Sequence, residues 1–363
     1  MNVYDRKYFI WGTGKLSDYI NRFCAHELGE INILGYVDND KRKIGDSFYG
    51  KKVYSPEILE SVEDAYIVIA NKFRSAIIQQ INNEYPNYVD KIVGEFFFYQ
   101  LQLLKRYAQA TDPDLKDVLK YIESNDLEIF NYHFTKNYSV EDIDIKFDTK
   151  NKLFYYNYLG RKMYISKQYD TKDKAKEYIR SILIEQDNAS PHVYLKDEFQ
   201  VPYGSIVVDA GGAEGCFSLS IIDKAKKIYL FEPDPGWIEA LRYTFEDYKE
   251  KVLIIEKALS DYVDECTTKL DVELKDESID FIKMDIEGEE YEALLGMERL
   301  LSYQKKMKCV ICTYHQEMAY GAISDYLRIK GFSTEPSRGY MFYPDTFTMR
   351  RPVFRRGLVR AWK

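Results

Sequence analysis

Histidine, tryptophan and cysteine are scarce in this sequence: its 363 residues include 4 His, 3 Trp and 5 Cys. Four histidines leave little room for a histidine-rich metal centre. Among the scattered cysteines only Cys309 and Cys312 stand three apart, a spacing that places strand side chains on opposite faces, so joint metal binding is not expected. A few scattered thiols suit a reducing compartment, and we expect a cytoplasmic protein.

Long apolar runs and net positive charge are also missing. No apolar stretch approaches the roughly 20 residues that span a bilayer, and we expect no signal peptide because the first residues lack an apolar core and a cleavage site. The net charge of −8 argues against nucleic-acid binding. A 45% share of hydrophobic residues is ordinary for a folded protein, and the length predicts two domains.

Tyrosine, by contrast, is abundant, with 33 residues. The excess has two interpretations. It either reflects a composition bias that fills half-buried positions, or it supplies aromatic faces for sugars or nucleotides. A carbohydrate-facing wall is most plausible where four tyrosines cluster in a predicted hairpin centred on Gly160, namely at Tyr155, Tyr156, Tyr158 and Tyr164.

Three regions differ in their pattern. Residues 1–94 alternate strands and helices, as in a small Rossmann-like domain. Residues 95–180 contain predicted helices and the Tyr-rich hairpin, and we expect them to connect two domains. Residues 181–363 carry strongly apolar strands joined mostly by helical segments, followed by a basic tail, and predict a second parallel sheet.

The strongest motif is VVDAGGAEGCFSL, at residues 207–219. A strand ends in an acid, and a glycine-rich turn and a helix follow, so that the backbone can approach a ligand closely. The pattern is DxGGxxG rather than GxGxxG, and the acid would repel a pyrophosphate, so a cationic or zwitterionic ligand fits better than a dinucleotide. The candidate contacts are Asp209, Gly211, Gly212, Ala213, Glu214 and Gly215.

Two further strand tips supply ligand contacts. Glu232 ends the strand IYLFEPDP, where a carboxylate can accept hydrogen bonds from both hydroxyls of a ribose, and Pro233 stiffens the turn beside it. Ala258 and Leu259 stand at the tip of the next strand, where an adenine could rest against them.

A fourth strand tip, FIKMDIEG, brings charges together. With a period of two, Lys283, Asp285 and Glu287 share one side, and burying such a cluster is costly unless it forms a site. Asp285, Lys283 and His315, which ends the strand KCVICTYH, are the candidate general bases. His192 and Glu287 are candidates for the substrate wall. The acids lack a clear third metal ligand, so no metal is expected.

These motifs, in this order, resemble the FkbM family of S-adenosylmethionine-dependent methyltransferases over roughly residues 180–345. The resemblance implies an α/β fold with a seven-stranded class I methyltransferase sheet. It also implies that residues 209–215 wrap the methionine part of the cofactor, that Glu232 holds its ribose and that Ala258 and Leu259 flank its adenine. Glu214 departs from the family, in which small or polar residues are common at this position.

The segments EQDNASPHVY, TYHQ and RRGLVRA resemble FkbM-type proteins encoded among bacterial glycan-biosynthesis genes. The implied reaction is O-methylation of a sugar hydroxyl. The substrate would be a sugar, a nucleotide-sugar or a lipid-linked glycan. Two other functions stay open. One is a binding protein with a catalytically idle methyltransferase fold. The other is an NAD-dependent enzyme that uses a glycine turn near the N-terminus.

That turn contains Gly12 and Gly14, and Asp38 ends the following strand. The segment resembles the small Rossmann-like domains that precede some bacterial sugar acyltransferases and bind a nucleotide-sugar. We therefore expect Gly12, Gly14 and Asp38 to contact a nucleotide or sugar, or else the domain to serve docking or homodimerisation. No catalytic pair of a dehydrogenase follows the turn.

The last residues carry six cations and no acid: Arg350, Arg351, Arg355, Arg356, Arg360 and Lys363. They predict a local anion-binding patch for a substrate phosphate or for peripheral contact with a membrane surface. The alternative is a tail that packs on the acids of the protein itself.

Overall fold

The computed structural model describes residues 6–24, 31–94, 96–316, 318–343 and 353–363. The chain divides into two compact units, Met1–Glu128 and Ile129–Lys363. The predicted domain 1–94 lies within the first unit. The predicted connector 95–180 is shared between the two, because its first two helices belong to the first unit and its hairpin to the second. No helix in the described ranges is long and apolar enough to cross a membrane.

A six-stranded sheet forms the first unit, in the order β3-β4-β2-β1-β5-β6. Its strands are β1 (Lys7–Trp11), β2 (Ile33–Val37), β3 (Ser47–Phe48), β4 (Lys51–Tyr54), β5 (Ala65–Ile69) and β6 (Ile92–Val93). All pairs are parallel except that of β3 with β4. The predicted parallel sheet is therefore confirmed, and its apolar strands are buried because helices cover them.

The helices of the first unit are α1 (Lys15–Tyr19), α2 (Arg74–Glu84), α3 (Phe97–Arg106) and α4 (Pro113–Ile122). A π-helical turn, Ile20–Cys24, continues α1, and 3-10 turns cover Pro56–Glu60 and Pro86–Lys91. Residues 25–30, which follow this turn, lie outside the described ranges. Asp112 caps α4 by accepting the N–H of Leu115 at 3.1 Å.

The second unit contains a seven-stranded sheet in the order β12-β11-β10-β15-β16-β20-β17. Its strands are β10 (Ile206–Ala210), β11 (Lys227–Phe231), β12 (Val252–Ile255), β15 (Phe281–Met284), β16 (Lys308–Cys312), β17 (Ser333–Pro336) and β20 (Leu358–Trp362). Only β20 runs antiparallel to its neighbours. This arrangement confirms the expected class I methyltransferase sheet.

Short strands accompany this sheet: β7 (Lys146–Asp148), β8 (Leu153–Tyr158), β9 (Arg161–Tyr164), β13 (Ala258–Leu259), β14 (Thr267–Thr268), β18 (Met341–Phe342) and β19 (Phe354–Arg355). The helices are α5 (Lys172–Glu185), α6 (Cys216–Ile221), α7 (Pro235–Thr244), α8 (Leu270–Glu273), α9 (Glu290–Leu295), α10 (Glu298–Tyr303) and α11 (Ala319–Ile329). 3-10 turns cover His133–Asn137 and Glu246–Tyr248.

Two apolar cores sandwich the seven-stranded sheet. Alternate side chains of β15 separate as predicted, with Phe281 in one core and Ile282 and Met284 in the other. Because β10, β11, β15 and β16 are parallel, their carboxyl ends meet at one edge, which is where ligands bind in such sheets.

The predicted β8–β9 hairpin is present, and Leu159 and Gly160 both have positive φ at its turn (49° and 79°). The carbohydrate-facing wall that we expected on this hairpin is not observed. Tyr164 belongs to the apolar core, and Tyr155, Tyr156 and Tyr158 pack against that core. These tyrosines supply apolar burial, which is the composition-bias interpretation.

Candidate active site

The glycine loop after β10 is held close against neighbouring elements. A Cβ added at Gly211, whose φ is 76°, would lie 1.8 Å from the carbonyl oxygen of Asp285. A Cβ at Gly212 would lie 2.3 Å from Leu230, and one at Gly215, with φ of 84°, would lie 2.8 Å from Phe245. Packing therefore requires glycine at all three positions. The backbone of the loop borders a pocket of about 490 Å³.

Asp209 and Lys283 form a buried pair behind this loop. Lys283 Nζ lies 3.1 Å from Asp209 Oδ1 and donates hydrogen bonds to the carbonyl oxygens of Ala210 and Gly211. Burial alone would lower the pKa of Lys283, but Asp209 and Asp285 outweigh it and raise that pKa. The ammonium therefore stays charged and is unsuited to act as the predicted general base.

Asp209 does not line the pocket, contrary to its expected contact with the cofactor. Its carboxylate is fully buried, and its second oxygen, Oδ2, accepts a hydrogen bond from the Ser218 hydroxyl at 2.6 Å. Together with Lys283 it fixes the backbone of the glycine loop. Gly215 also lies off the lining, whereas Gly211, Gly212, Ala213 and Glu214 form part of it.

Glu232 occupies the predicted position at the tip of β11. Its Oε2 accepts the backbone N–H of Ala213 at 2.9 Å and its Oε1 that of Asp234 at 2.8 Å. Burial raises the pKa of Glu232, although these two hydrogen bonds oppose the rise. Each carboxylate oxygen can accept more than one hydrogen bond, so the oriented side chain can still accept from a ligand. Pro233, Ala258 and Leu259 line the same pocket.

Acidic side chains dominate the lining of this pocket. Among the described residues it is lined by seven acids and two lysines: Glu185, Glu214, Glu232, Asp234, Asp285, Glu287 and Glu289, with Lys257 and Lys283. Both lysines face acids, since Lys283 pairs with Asp209 and Lys257 lies 3.8 Å from Glu273. Such a field favours a cationic or zwitterionic ligand and opposes a pyrophosphate.

Asp285 lies at the centre of a polar cluster at the tip of β15. Its Oδ2 accepts the Tyr194 hydroxyl at 2.7 Å, and its Oδ1 accepts that of Tyr314 at 3.4 Å. His192 Nε2 and His315 Nε2 each lie 3.5 Å from its oxygens. Burial would raise the pKa of Asp285, but His192, Lys283 and His315 lower it strongly. Asp285 is therefore ionised and a weak base.

His315 is held from one side by Glu290. Its Nδ1 lies 2.9 Å from Glu290 Oε1, which also accepts the N–H groups of Ile286 and Gly288. Its Nε2 is buried and makes no hydrogen bond to any described residue. Burial lowers the pKa of His315, but Glu290, Asp285 and Glu287 together raise it above its usual value. With Nδ1–H bound to Glu290, a neutral ring presents a free lone pair at Nε2.

Residues 245–334, which include Asp285, Glu290 and His315, match the family described as Methyltransferase FkbM domain. Residues 245–334 therefore carry an FkbM methyltransferase domain, and we call the second unit, which contains them, the FkbM unit. Because this family uses S-adenosylmethionine, the match also confirms the predicted enzyme class and cofactor. Residues 4–92 match the family described as C2185-like, N-terminal. No curated protein matches the chain.

Solved structures similar to this chain include methyltransferase FkbM from Methylobacillus flagellatus KT, at 15% identity and a TM-score of 0.42, covering 98% of this chain and 90% of that one. SMU.1697c from Streptococcus mutans, solved with SAH, has 17% identity and a TM-score of 0.32, covering 45% and 90%. Magnesium protoporphyrin IX methyltransferase from Synechocystis PCC 6803, solved with bound SAM, has 17% identity and a TM-score of 0.29, covering 44% and 71%.

Of the two residues expected on the substrate wall, Glu287 lines the pocket and His192 does not. His192 is buried behind Asp285, its Nε2 3.5 Å from Cys312 Sγ, and it does not line the pocket of the FkbM unit. Its role is therefore to support Asp285. Glu287 does lie on the pocket rim, largely exposed, with its Oε2 3.5 Å from His315 Nε2.

The pocket residues that the sequence did not indicate include Tyr178, Glu185, Tyr194, Trp237 and Tyr314. Tyr178 donates a hydrogen bond to Glu214, which explains how an acid is accommodated where the family favours small or polar residues. The i, i+7 spacing of Tyr178 and Glu185 on an amphipathic helix was the available signal, but it equally describes a core face. Glu290 was also missed, although it follows directly on the predicted acidic motif.

Ligand-type side chains come close enough to share a cation in two groups among the described residues. They are His192, Asp285 and Cys312, and Asp285, Glu290 and His315. The sequence offered no third ligand beside Asp285 and Glu287, whereas the structure brings His315 Nε2 to 3.5 Å from both. The absence of a metal requirement therefore stays a prediction.

The basic tail is built into the FkbM unit. Arg355 donates to the carbonyl oxygens of Tyr314 and His315, Arg356 to those of Ser337 and Gly339, Arg360 to that of Val193, and Lys363 to that of Leu301. These four cations thus each donate hydrogen bonds to main-chain oxygens. They therefore do not form the expected free patch. Arg350 and Arg351 lie outside the described residues.

In the first unit the structure brings the glycine turn and Asp38 together. Asp38 Oδ2 accepts the Thr13 hydroxyl at 2.7 Å and lies 3.0 Å from Lys43 Nζ, and its Oδ1 accepts the N–H of Asp40. Burial would raise the pKa of Asp38, but these partners lower it. Gly12 has φ of 116°, and a Cβ there would lie 2.6 Å from the Ala70 carbonyl oxygen, whereas one at Gly14 would meet open space.

Proposed function

We propose that the FkbM unit transfers a methyl group from S-adenosylmethionine to a hydroxyl group of a sugar. The observation that carries this proposal is the Glu290–His315 pair, which leaves a buried Nε2 without a hydrogen bond 3.5 Å from Asp285, a residue that lines the acidic pocket, although His315 itself does not line it. A hydroxyl acceptor needs a group that removes its proton as the new bond forms. An acceptor that is already a good nucleophile, such as an unprotonated amine, does not.

The residues of the pocket fit the cofactor. Seven lining acids suit a ligand that carries a sulfonium and an ammonium, and the pocket volume of about 490 Å³ is in the range of ligand sites. In this proposal Glu232 accepts the ribose hydroxyls and Ala258 and Leu259 border the adenine. The glycine loop from Gly211 to Glu214 borders the methionine part.

When bound, S-adenosylmethionine would supply an electrophilic methyl carbon, whose transfer would exchange its C–S bond for a C–O bond to the acceptor. His315 takes the proton of the attacking hydroxyl at Nε2, and Glu290 keeps Nδ1–H oriented. Asp285 stays ionised and stabilises the imidazolium that results. Lys283 keeps the glycine loop in place through its carbonyl oxygens. Alignment and exclusion of water supply most of the acceleration in such a displacement.

A sugar suits the rim of the pocket. Tyr314 lines the pocket and is half-buried, so that its ring can pack on the C–H face of a sugar while its hydroxyl group stays hydrogen-bonded to Asp285. We further propose that the first unit holds a sugar or nucleotide-sugar near Gly12 and Asp38. The reaction would then belong to the assembly of a bacterial surface glycan in the cytoplasm.

Methyl transfer to a panel of neutral sugars, nucleotide-sugars and lipid-linked glycans tests the proposal. The full chain is incubated with S-adenosylmethionine carrying a labelled methyl group, and products are identified by mass spectrometry. We expect a singly O-methylated sugar with the wild type and with His133→Gln, and at least a hundredfold slower transfer with His315→Gln. Cofactor binding without transfer to any acceptor would instead indicate an idle fold.

A further inference from the structure

Glu185 is an acid of the pocket to which the mechanism gives no role. It is the last residue of α5, half-buried, and it lines the pocket. Among the described residues its carboxyl group has neither a hydrogen bond nor an ion-pair partner. An acid at the carboxyl end of a helix is also disfavoured by the helix dipole. Packing alone therefore does not explain this acid.

The spacing of Glu185 on α5 places it on the same helix face as other residues that line the pocket. Tyr178, Ser181 and Ile182 line the same pocket and stand seven, four and three positions before Glu185, so they share one face of α5. Tyr178 in turn binds Glu214 of the glycine loop. Glu185 consequently lies on the wall that borders this loop.

The charged groups that act on Glu185 belong to the glycine loop and to the cluster around Asp285. Burial raises its pKa to about 7, the charge of His192 opposes this rise, and Asp285, Glu214 and Glu287 add to it. A carboxyl group in such a position gains most from a ligand that brings its own positive charge. S-adenosylmethionine carries two positively charged groups. The sulfonium is the reacting centre, so the other group, the α-ammonium, is the one available to pair with this carboxylate.

We propose that Glu185 binds the α-ammonium group of the methionine part of S-adenosylmethionine. This inference rests on the proposed function, because it assumes that the pocket holds that cofactor. The proposed contact lies at the end of the cofactor opposite the adenine. Neither the glycine loop nor Glu232 supplies a free carboxylate there.

Two ligands that differ in the methionine part test the contact. S-adenosylhomocysteine carries the ammonium group, and 5′-methylthioadenosine has the same adenosine and thioether without it. Calorimetry on the full chain measures both affinities in the wild type, in Glu185→Gln and in Glu177→Gln. Glu177 is an exposed acid on the same helix that does not line the pocket, so its substitution is a matched control.

We expect Glu185→Gln to weaken the binding of S-adenosylhomocysteine about 10- to 100-fold, which is the range of a hydrogen bond to a charged group. The affinity for 5′-methylthioadenosine should change by less than about twofold. Retained binding of the second ligand also shows that the variant is folded. Equal losses for both ligands, no loss for either, or a loss of turnover with unchanged binding would each overturn the assignment. Failure of the wild type to bind either ligand would instead contradict the proposed function.

Discussion

Glu290 Oε1 lies 2.9 Å from His315 Nδ1 and also accepts the backbone N–H groups of Ile286 and Gly288. One carboxylate oxygen thus joins the turn after β15 to the ring at the end of β16. The same contact fixes the tautomer of His315 and leaves Nε2 beside Asp285 and Glu287, two residues that line the pocket. Glu290 touches neither the acceptor nor the methyl group in our account, so it is a positioning residue.

The Glu290–His315 contact predicts a shift in the pH profile. Glu290 raises the pKa of His315, and only the neutral ring accepts a proton, so the rate falls as pH drops below that raised pKa. Glu290→Gln keeps an acceptor for Nδ1–H but removes the charge. We expect its acid limb of kcat against pH to move to lower pH, with Glu289→Gln as the control for a neighbouring acid. An unmoved limb would contradict the role of Glu290.

The buried Lys283–Asp209 pair predicts a loss of stability. Lys283→Met removes the cation and leaves Asp209 and Asp285 with less compensation in a buried region, for which a cost of about 3–5 kcal/mol is typical. We expect the free energy of unfolding in urea to fall by that amount. Lys305→Met, at an exposed position, should change it by less than about 0.5 kcal/mol. Equal stability of the two variants would show that Lys283 does not hold the loop.

The proton transfer to His315 predicts that no metal is needed. Dialysis against a chelator should leave methyl transfer unchanged, because Nε2 takes the proton itself in this account. The control is chelator followed by excess Mg²⁺ or Mn²⁺. A loss of activity that either ion restores would place a cation among Asp285, Glu290 and His315 instead, whose ligand atoms lie within 4.8 Å of one another.

The strands and their tips were predictable from the sequence. Apolar strands followed by Asp209, Glu232 and Asp285 could belong only to a buried parallel sheet, and a period of two separated Phe281 from Ile282 correctly. The glycine positions followed as well, because a loop that rests on the end of β15 has no room for a Cβ.

The partners of charged and aromatic side chains were not predictable in the same way. The cations of the tail can be counted in the sequence. Their partners cannot be read from it, and Arg355 and Arg360 in fact donate hydrogen bonds to carbonyl oxygens. It also could not distinguish Tyr158, which packs on the core, from Tyr194, which binds Asp285. Both distinctions depend on contacts between residues far apart in the chain, and no local periodicity encodes them.

Binding of S-adenosylhomocysteine and NAD to the full chain, measured by calorimetry, tests the central claim most directly. We expect the wild type to bind S-adenosylhomocysteine and not NAD. Glu232→Ala should abolish that binding, whereas Glu246→Ala, at an exposed position outside the pocket, should leave it unchanged. Binding of NAD alone, or affinity for S-adenosylhomocysteine that survives Glu232→Ala, would contradict the account.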